Sequence, residues 1–424
     1  MAKKKKAEKP PRQMTRRQLS HYQKQKRRQR FVFFSGITVI TVIVLLILVG
    51  WLVGEVLPLR ATVIEIDTLK YDMQYFIDAY KALTMQMSTD AIAGQSNAVI
   101  NQIQNSALLI WGAAGLGIKV SDDEAEEILE SAGIEVNDAS KDIIRAQILP
   151  SRLNDEYFSD QVPVSDNQVN ISVMLLESES QANEIRQRLQ GSDNFSALAE
   201  EFSLHSSAED KGEIGWHTKD ILVDLLGSFV PGNYAFSAKP GDMSEPLYDK
   251  QKSKQVGYWL LKVLERPDVM NAQVQGILLG SEEEAYEVKE KLAVTDNLSA
   301  LIAEYSQHES KNREGHLGLV TENSTMQSPA VNDYIFDEDT EIGVWSEPVR
   351  DDTVTTIGGY WLVKVIDKDD DREISEEDRS YLVDKAYSDW FTGIRMQKIA
   401  FINITPLTPE KIQWAIEKVL KSRE

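Results

Sequence analysis

Cysteine is absent from the 424-residue sequence, and its absence removes several kinds of site. Without it the chain has no disulfide, thiolate zinc site, iron–sulfur cluster, cysteine nucleophile or lipid-modified cysteine anchor. Histidine is scarce as well: five residues are scattered without metal-ligand spacing, so we expect no metal and no other cofactor. The sequence also lacks a Gly-rich phosphate loop and a serine with His and Asp partners at a telling spacing, which leaves hydrolysis unsupported.

Charge is divided unevenly along the chain. Residues 1–30 contain 13 Lys or Arg and one acid, Glu8, which is a balance of +12. The other 33 bases and 66 acids leave −33 for residues 31–424, and the whole chain carries −21. Such an asymmetry is typical of a tail with a partner of its own. The length predicts two to four domains, and a hydrophobic content of 42% excludes a multi-span membrane protein.

Residues 31–54 are 24 consecutive uncharged residues, and as a helix they would span roughly 36 Å. A buried core helix would be shorter, and a cleaved signal peptide would have a shorter apolar region followed by a small-residue cleavage site. We therefore expect an uncleaved transmembrane helix at 31–54. The basic tail at 1–30 is then cytoplasmic and contacts membrane lipid, with no nucleic acid expected as its partner. Residues 55–424 would lie outside the cytoplasm, at the cell membrane.

Residues 55–165 are predicted to form a mostly helical domain. Apolar side chains recur at helical spacing between Met73 and Tyr80. Ser121 begins a capping-box pattern, and the same pattern recurs at Ser165.

The C-terminal residues 373–424 are predicted to be helical too. Ser375 is expected to cap one helix, and Pro409 is expected to begin the last one. We expect these helices to pack with those of the 100–165 segment.

An internal repeat with an offset of 102 or 103 residues organises the rest of the chain. The matching segments are Asp193–Leu198 with Asp296–Leu301, Phe202–His205 with Tyr305–His308, Ser244–Pro246 with Ser346–Pro348, and Gly257–Val263 with Gly359–Val365. A period this long predicts two whole domains, which we place at 166–266 (the first repeat) and 270–369 (the second repeat). Each has an opening strand, two helices, a Gly-rich turn and a β-rich end. This predicts an α+β fold with a small antiparallel sheet. The helices are expected at 182–189 and 196–202 in the first repeat and at 285–292 and 299–305 in the second.

Both repeats resemble the parvulin family of peptidyl-prolyl cis–trans isomerases. The ordered matches in the first repeat are the Val173–Leu176 strand, Phe195–Ser203, Gly212–Trp216, Lys239–Pro246 and Gly257–Val263. The preceding segment, especially Leu116–Glu124, resembles the N-terminal chaperone region of SurA- and PrsA-type foldases. The resemblance covers about residues 60–400 and implies a membrane-anchored extracytoplasmic foldase. Its partners would be unfolded or proline-containing exported proteins, and its reaction would be isomerisation of their X-Pro bonds.

The two histidines of the active family pattern are missing from both repeats. Val173 and Gly276 stand in the first place, and Trp259 and Trp361 in the second. Because rotation about an X-Pro bond needs no nucleophile, isomerase activity remains the leading interpretation, carried by the first repeat with its fuller motif set. The alternative is a catalytically inactive holdase chaperone, or an envelope scaffold, that binds peptides with the same domains.

His205 and His308 occupy one position of the repeat, where the family often has Asp or Cys. The resemblance makes them candidate catalytic residues that contact the prolyl amide, and an ordinary loop histidine is the alternative. His217 and His316 have no matching partners and are expected at the surface. Candidate peptide-binding residues are Val173, Phe229, Phe236, Met243, Trp259 and Trp361. Among these, Phe236 is expected to serve mainly in core packing.

Overall fold

The structure, a computed structural model, describes residues 16–322 and 327–423. Of these, residues 16–160 form one compact unit with residues 384–423, and residues 161–322 with 327–383 form the other. Helices together with small antiparallel sheets confirm the predicted α+β class. Residues 1–15, half of the predicted basic tail, lie outside the described residues.

The helices and strands are as follows in chain order. Residues up to 161 form α1 (Arg16–Trp51), α2 (Leu57–Leu59), β1 (Thr62–Ile66), β2 (Leu69–Asp72), α3 (Met73–Thr84), α4 (Thr89–Ile92), α5 (Ser96–Gly115), α6 (Asp122–Ser131), α7 (Asp138–Leu153) and α8 (Ser159–Gln161). The first repeat and the strand that closes it form β3 (Ser165–Leu176), α9 (Glu179–Gln190), α10 (Phe195–Phe202), β4 (Glu213–His217), α11 (Lys219–Leu226), α12 (Phe229–Ser237), β5 (Leu247–Lys254) and β6 (Gly257–Asp268). The second repeat forms β7 (Asn271–Leu279), α13 (Glu282–Val294), α14 (Leu298–Tyr305), β8 (His316–Thr321), α15 (Pro329–Phe336), β9 (Val349–Asp351) and β10 (Thr356–Glu373). The chain closes with α16 (Glu376–Lys398), β11 (Ile402–Asn403) and α17 (Pro409–Lys421).

The stretch Phe33–Leu59, which covers the end of α1, a π-helical turn and α2, is long and apolar enough to cross a membrane. Its side chains are not buried against the rest of the protein. The length and composition of this stretch agree with the predicted span at 31–54, and they are the evidence that the structure gives for it.

The larger apolar core of the first unit is built mainly from α3 and α5, and a smaller cluster lies between α6 and α7. Phe76 and Tyr80 are fully buried in the larger core, and apolar residues of α17 such as Ala415 and Val419 join them. This confirms that C-terminal helices pack with the helices of the 100–165 segment, because both bury apolar faces in one core. Helix α6 begins at Ser121, whose hydroxyl accepts the Glu124 N–H, as the capping box predicts.

Residues 55–165 are mostly helical, as predicted, but two details differ from the sequence patterns. Residues 62–72 form the hairpin β1–β2, because the β-branched run at its start suits a half-buried strand. Ser165 begins strand β3 instead of a helix. There the Gln168 side chain donates to the backbone carbonyls of Arg372 and Glu373, so it is engaged across the sheet and does not cap a helix.

The second unit contains two four-stranded antiparallel sheets, with strand orders β4-β3-β10-β5 and β8-β7-β6-β9. The last strand of each repeat therefore lies in the sheet opened by the other repeat. In the first sheet Val363 of β10 pairs with Val173 of β3, and in the second Leu261 of β6 pairs with Gly276 of β7. We call this arrangement the strand exchange. The boundaries 166–266 and 270–369 mark sequence repeats, and their identity with domains stays a prediction.

A short connection helps to explain the strand exchange. Two residues, Val269 and Met270, join β6 to β7, and the pair at the turn is Asp268 with Asn271. A long hairpin closed by so short a loop costs little conformational entropy. Pairing of β6 with β3, far earlier in the chain, would break that hairpin.

Candidate functional site

His205 lies just after α10 and begins a short 3-10 turn at Ser206–Ala208. Its Nδ1 accepts the backbone N–H of Ser207 at 3.2 Å and lies 2.9 Å from the Ser207 hydroxyl. The His205 side chain therefore caps the turn, a role that an Asp carboxylate can also fill. The Ser203 hydroxyl holds the segment against the sheet, since it accepts the N–H groups of Leu175 and His205.

The His205 ring packs against Trp361, a residue of the other repeat. The ring centroids are 5.3 Å apart, and Trp361 is fully buried. The indole N–H of Trp361 donates to Asp249, which also accepts the Ser228 hydroxyl. This arrangement fixes the Trp361 side chain under the histidine.

The second repeat reproduces this arrangement around His308. Its Nδ1 accepts the Ser310 N–H at 3.2 Å, and its ring centroid lies 5.1 Å from that of Trp259. The Trp259 indole donates to Asp351 at 3.0 Å. Each candidate histidine thus meets the tryptophan of the other repeat, as a direct consequence of the strand exchange. We call His205 with Trp361 the first site and His308 with Trp259 the second site.

An open cavity of about 680 Å³, which we call the groove, lies beside His205. Apolar side chains of Ile214, Ile221 and Leu225 line it, together with carboxylates and hydroxyls. The start of α16 contributes Tyr381, whose hydroxyl donates to Asp224 at 2.8 Å. The groove is large enough to take several atoms of a peptide.

His217 also lines the groove, so its predicted surface position is wrong. Its Nδ1 lies 2.8 Å from Asp378 Oδ2, and its Nε2 lies 3.0 Å from the Ile214 carbonyl oxygen. Its side chain is 19% exposed, because the start of α16 covers it. His316 is exposed, as predicted.

Burial lowers the pKa of His205 to about 4, and the positive charge of Lys252 lowers it further. The His205 ring is therefore neutral at neutral pH, with Nδ1 as a hydrogen-bond acceptor. Burial also lowers the pKa of His308. Burial acts to raise the pKa of Asp351, but hydrogen bonds from Ser328, Thr353 and Trp259 bring it below its ordinary value.

The other candidate residues fall into three groups. Val173 and Phe236 pack in the same core as Trp361, and Val173 is fully buried. Phe229 is 69% exposed at the start of α12, and Met243 is half-buried in a bridge to Lys364. Neither Phe229 nor Met243 lines the groove. A peptide contact by any of these residues stays a prediction.

Sequence reasoning missed the partners of the two histidines and tryptophans. Ser207 and Ser310 match at an offset of 103, and Asp249 and Asp351 match at 102. The repeat therefore held a signal that would have identified all four. Among residues 16–322 and 327–423, no group of three or more His, Asp or Glu side chains is placed to hold a metal ion.

Comparison with known proteins adds sequence evidence. Residues 175–265 match the rotamase family described as the PPIC-type PPIase domain. A parvulin-like PPIase of Rickettsia typhi is 31% identical over 158 residues, which cover 35% of this chain and 52% of that protein. The foldase protein PrsA of Bacillus subtilis is 27% identical over 136 residues, which cover 30% of this chain and 44% of that protein. The chain spans about half the length of these curated relatives.

Solved structures of PrsA proteins are also similar to this chain. The Bacillus anthracis structure shares 13% identity, covers 83% of this chain and 97% of its own, and has a TM-score of 0.22. The Lactococcus lactis structure shares 11% identity, covers 85% and 93%, and has a TM-score of 0.26. TM-scores this low do not show a common arrangement of the whole chain, so the sequence matches carry the assignment. These matches show that residues 175–265 are similar to the PPIC-type rotamase domain, and that the chain is similar to parvulin-like PPIases and PrsA foldases.

Proposed function

We propose that the second unit is a peptidyl-prolyl cis–trans isomerase that acts on X-Pro bonds of exported proteins. One observation carries the proposal: the groove lies beside a neutral His205 ring, and eleven of its fifteen lining residues belong to the segment 175–265 that matches the rotamase family. The first site is the primary centre. The second site repeats its His–Trp contact, and we assign it a lesser role because the second repeat keeps fewer family motifs.

Isomerisation requires rotation about a partial double bond, with a barrier of about 18–20 kcal/mol in water. Water stabilises the planar amide, so an apolar wall that removes water lowers the barrier. Ile214, Ile221 and Leu225 supply that wall in the groove. His205 and Ser207 place a neutral ring and a hydroxyl at its edge, where they would contact the prolyl amide as it twists.

The same proposal places the protein at the cell membrane. The apolar stretch Phe33–Leu59 would be the single anchor, with the basic tail in the cytoplasm and in contact with lipid. Residues 55–424 would face exported chains as they emerge. This location fits the similarity to PrsA foldases and the absence of cysteine.

A second candidate function is a holdase without catalytic activity. It is favoured by the replacement of both family histidines: Val173 and Trp361 fill their places in the first sheet as fully buried apolar groups. In that case the groove would bind unfolded chains without accelerating rotation.

A protease-coupled prolyl isomerisation assay on the full chain in detergent separates the two functions. We expect a rate above the uncatalysed one for the wild type and about tenfold less enhancement for His205→Ala. His308→Ala should cost less, and His316→Ala, at an exposed position outside the groove, serves as the control. An uncatalysed rate in the wild type would refute the isomerase. Suppressed client aggregation at the same time would support the holdase.

A further inference from the structure

The rim of the groove has an unusual charge. Six of its fifteen lining residues are acidic, and none is Lys or Arg. The acids are Glu209, Asp210, Glu213, Asp224, Glu377 and Asp378. The apolar cavity beside His205 defines where a peptide would bind. The six carboxylates would therefore influence which peptides the groove prefers.

Four of the six carboxylates make no ion pair or hydrogen bond with another residue that the structure describes. Asp378 is paired with His217, and Asp224 accepts the Tyr381 hydroxyl. The other four are exposed: Glu209, Asp210, Glu213 and Glu377. A ligand that enters the groove therefore meets negative charges that are not neutralised within the protein.

The acidic rim is particular to the first site. At an offset of 103, Glu209, Asp210 and Glu213 correspond to Asn312, Arg313 and His316. Each carboxylate is thus replaced by a neutral or basic side chain at the equivalent place of the second repeat. The difference arises at the rim, because the His–Trp contact and the serine cap are the same in both sites.

We propose that the groove selects prolyl peptides with Lys or Arg next to the proline. The inference rests on the proposed function of the groove and specifies its substrate class. The proline and the aliphatic stem of the basic residue would pack on Ile214 and Leu225, while the charged end reaches the rim carboxylates. Each exposed ion pair contributes little, so the selection comes from several carboxylates acting together.

The test measures binding of fluorescent proline peptides to the full chain in detergent. Two peptides differ only in Lys or Glu before the proline, and a third carries Ala. We expect the Lys peptide to bind about tenfold more tightly than the Glu peptide at low salt, with the ratio falling as salt rises. The test measures peptide affinity. Its result therefore does not depend on whether the chain accelerates isomerisation.

A matched pair of variants separates the rim from the overall negative charge. Glu209→Asn with Asp210→Arg installs the residues of the second repeat, and Glu200→Asn with Glu201→Arg makes the same charge change on exposed positions away from the groove. The rim variant should reduce the Lys-over-Glu ratio to about twofold, and the control should keep it. Equal binding of the peptides, no binding of any peptide, or an unchanged ratio in the rim variant would overturn the inference. Isomerisation of the Ala peptide tests the proposed function separately.

Discussion

His205 combines two roles in one neutral ring. Its Nδ1 caps the turn at Ser207, and its face packs on Trp361. The cap needs the uncharged form, because a protonated Nδ1 could not accept the Ser207 N–H. The position of His205 could be found from the repeat, since His308 matches it. The cap could not, because it depends on the backbone path after α10.

The first prediction concerns pH. His205 has an ordinary pKa of 6.5, which burial lowers to about 4 in the folded chain. Between these values the unfolded chain binds more protons, so stability should fall as pH drops from about 6.5 towards 4. The substitution His205→Asn keeps a cap acceptor and removes the titration. Thermal midpoints at pH 7.5 and 5.0 should therefore differ less for the variant than for the wild type.

His316→Asn, at an exposed position, controls for the loss of a histidine. It should leave the pH dependence of the wild type unchanged. If His205→Asn shows the full wild-type loss between the two pH values, the buried neutral histidine is not its source.

The second prediction concerns Gly212, which has a φ of +79°. A Cβ there would lie 2.6 Å from the Val173 carbonyl oxygen and 2.8 Å from Ala199 Cβ. Gly241 has a φ of +90° with open space around it, and so reports the backbone strain alone. We expect Gly241→Ala to lower the free energy of unfolding by about 1–2 kcal/mol. Gly212→Ala should cost a further ~1–3 kcal/mol through the clash.

Urea unfolding of both glycine variants and the wild type measures the loss in the free energy of unfolding that each substitution causes. Equal losses for Gly212→Ala and Gly241→Ala would show that the chain at Gly212 does not approach Val173 so closely.

At the scale of elements, much of the repeat was predictable. The helices expected at 182–189, 196–202, 285–292 and 299–305 are all confirmed, and each is slightly longer in the structure. Their apolar spacing and Ser or Asn caps are local signals that need no knowledge of the fold.

The strand exchange was not predictable from the sequence. Two residues connect β6 to β5, and two residues connect it to β7, so both hairpins are available to it. Trp259 and Trp361 also stand in equivalent sequence contexts. Whether the sheet of the first repeat takes β6 or β10 as its strand depends on the number of paired residues in each arrangement and on the side chains that each arrangement buries. The match to a contiguous rotamase domain at 175–265 does not reveal it either.

The third prediction tests the strand exchange with introduced cysteines. The native chain has no cysteine that could form a competing disulfide. Asn170 pairs with Asp367 in the structure, and Glu265 is the residue equivalent to Asp367 in the first repeat. Opposed residues of antiparallel strands lie close enough for a disulfide. Asn170→Cys with Asp367→Cys should therefore cross-link within one chain, and Asn170→Cys with Glu265→Cys should not.

Mass spectrometry of the oxidised, unreduced monomers identifies the bridge. Glu265→Cys with Gln273→Cys is the positive control, since these residues also pair in the structure. A bridge between positions 170 and 265 would show that each repeat closes its own sheet.

At the scale of the whole molecule, the net charge of −21 is the sum of two opposed parts. The basic tail and the acidic remainder lie on either side of the apolar stretch Phe33–Leu59. The negative remainder should repel other copies of itself. Within it, the second unit carries the groove.

The fourth prediction concerns orientation in the membrane. Ser20→Cys and Ser422→Cys place single thiols on the two sides of the apolar stretch. A membrane-impermeant maleimide applied to cells with an accessible membrane should label position 422, and should label position 20 only after permeabilisation. Labelling of position 20 in intact cells would contradict the proposed orientation.

The central claim is that the groove beside His205 accelerates prolyl isomerisation. Exchange NMR on a neutral X-Pro peptide measures the cis–trans rate at equilibrium and needs no coupling enzyme. We predict that the rate rises in proportion to added full-length protein, and that the increase falls about tenfold in His205→Ala but not in His316→Ala. A rate that stays at the uncatalysed value at every protein concentration would contradict the claim.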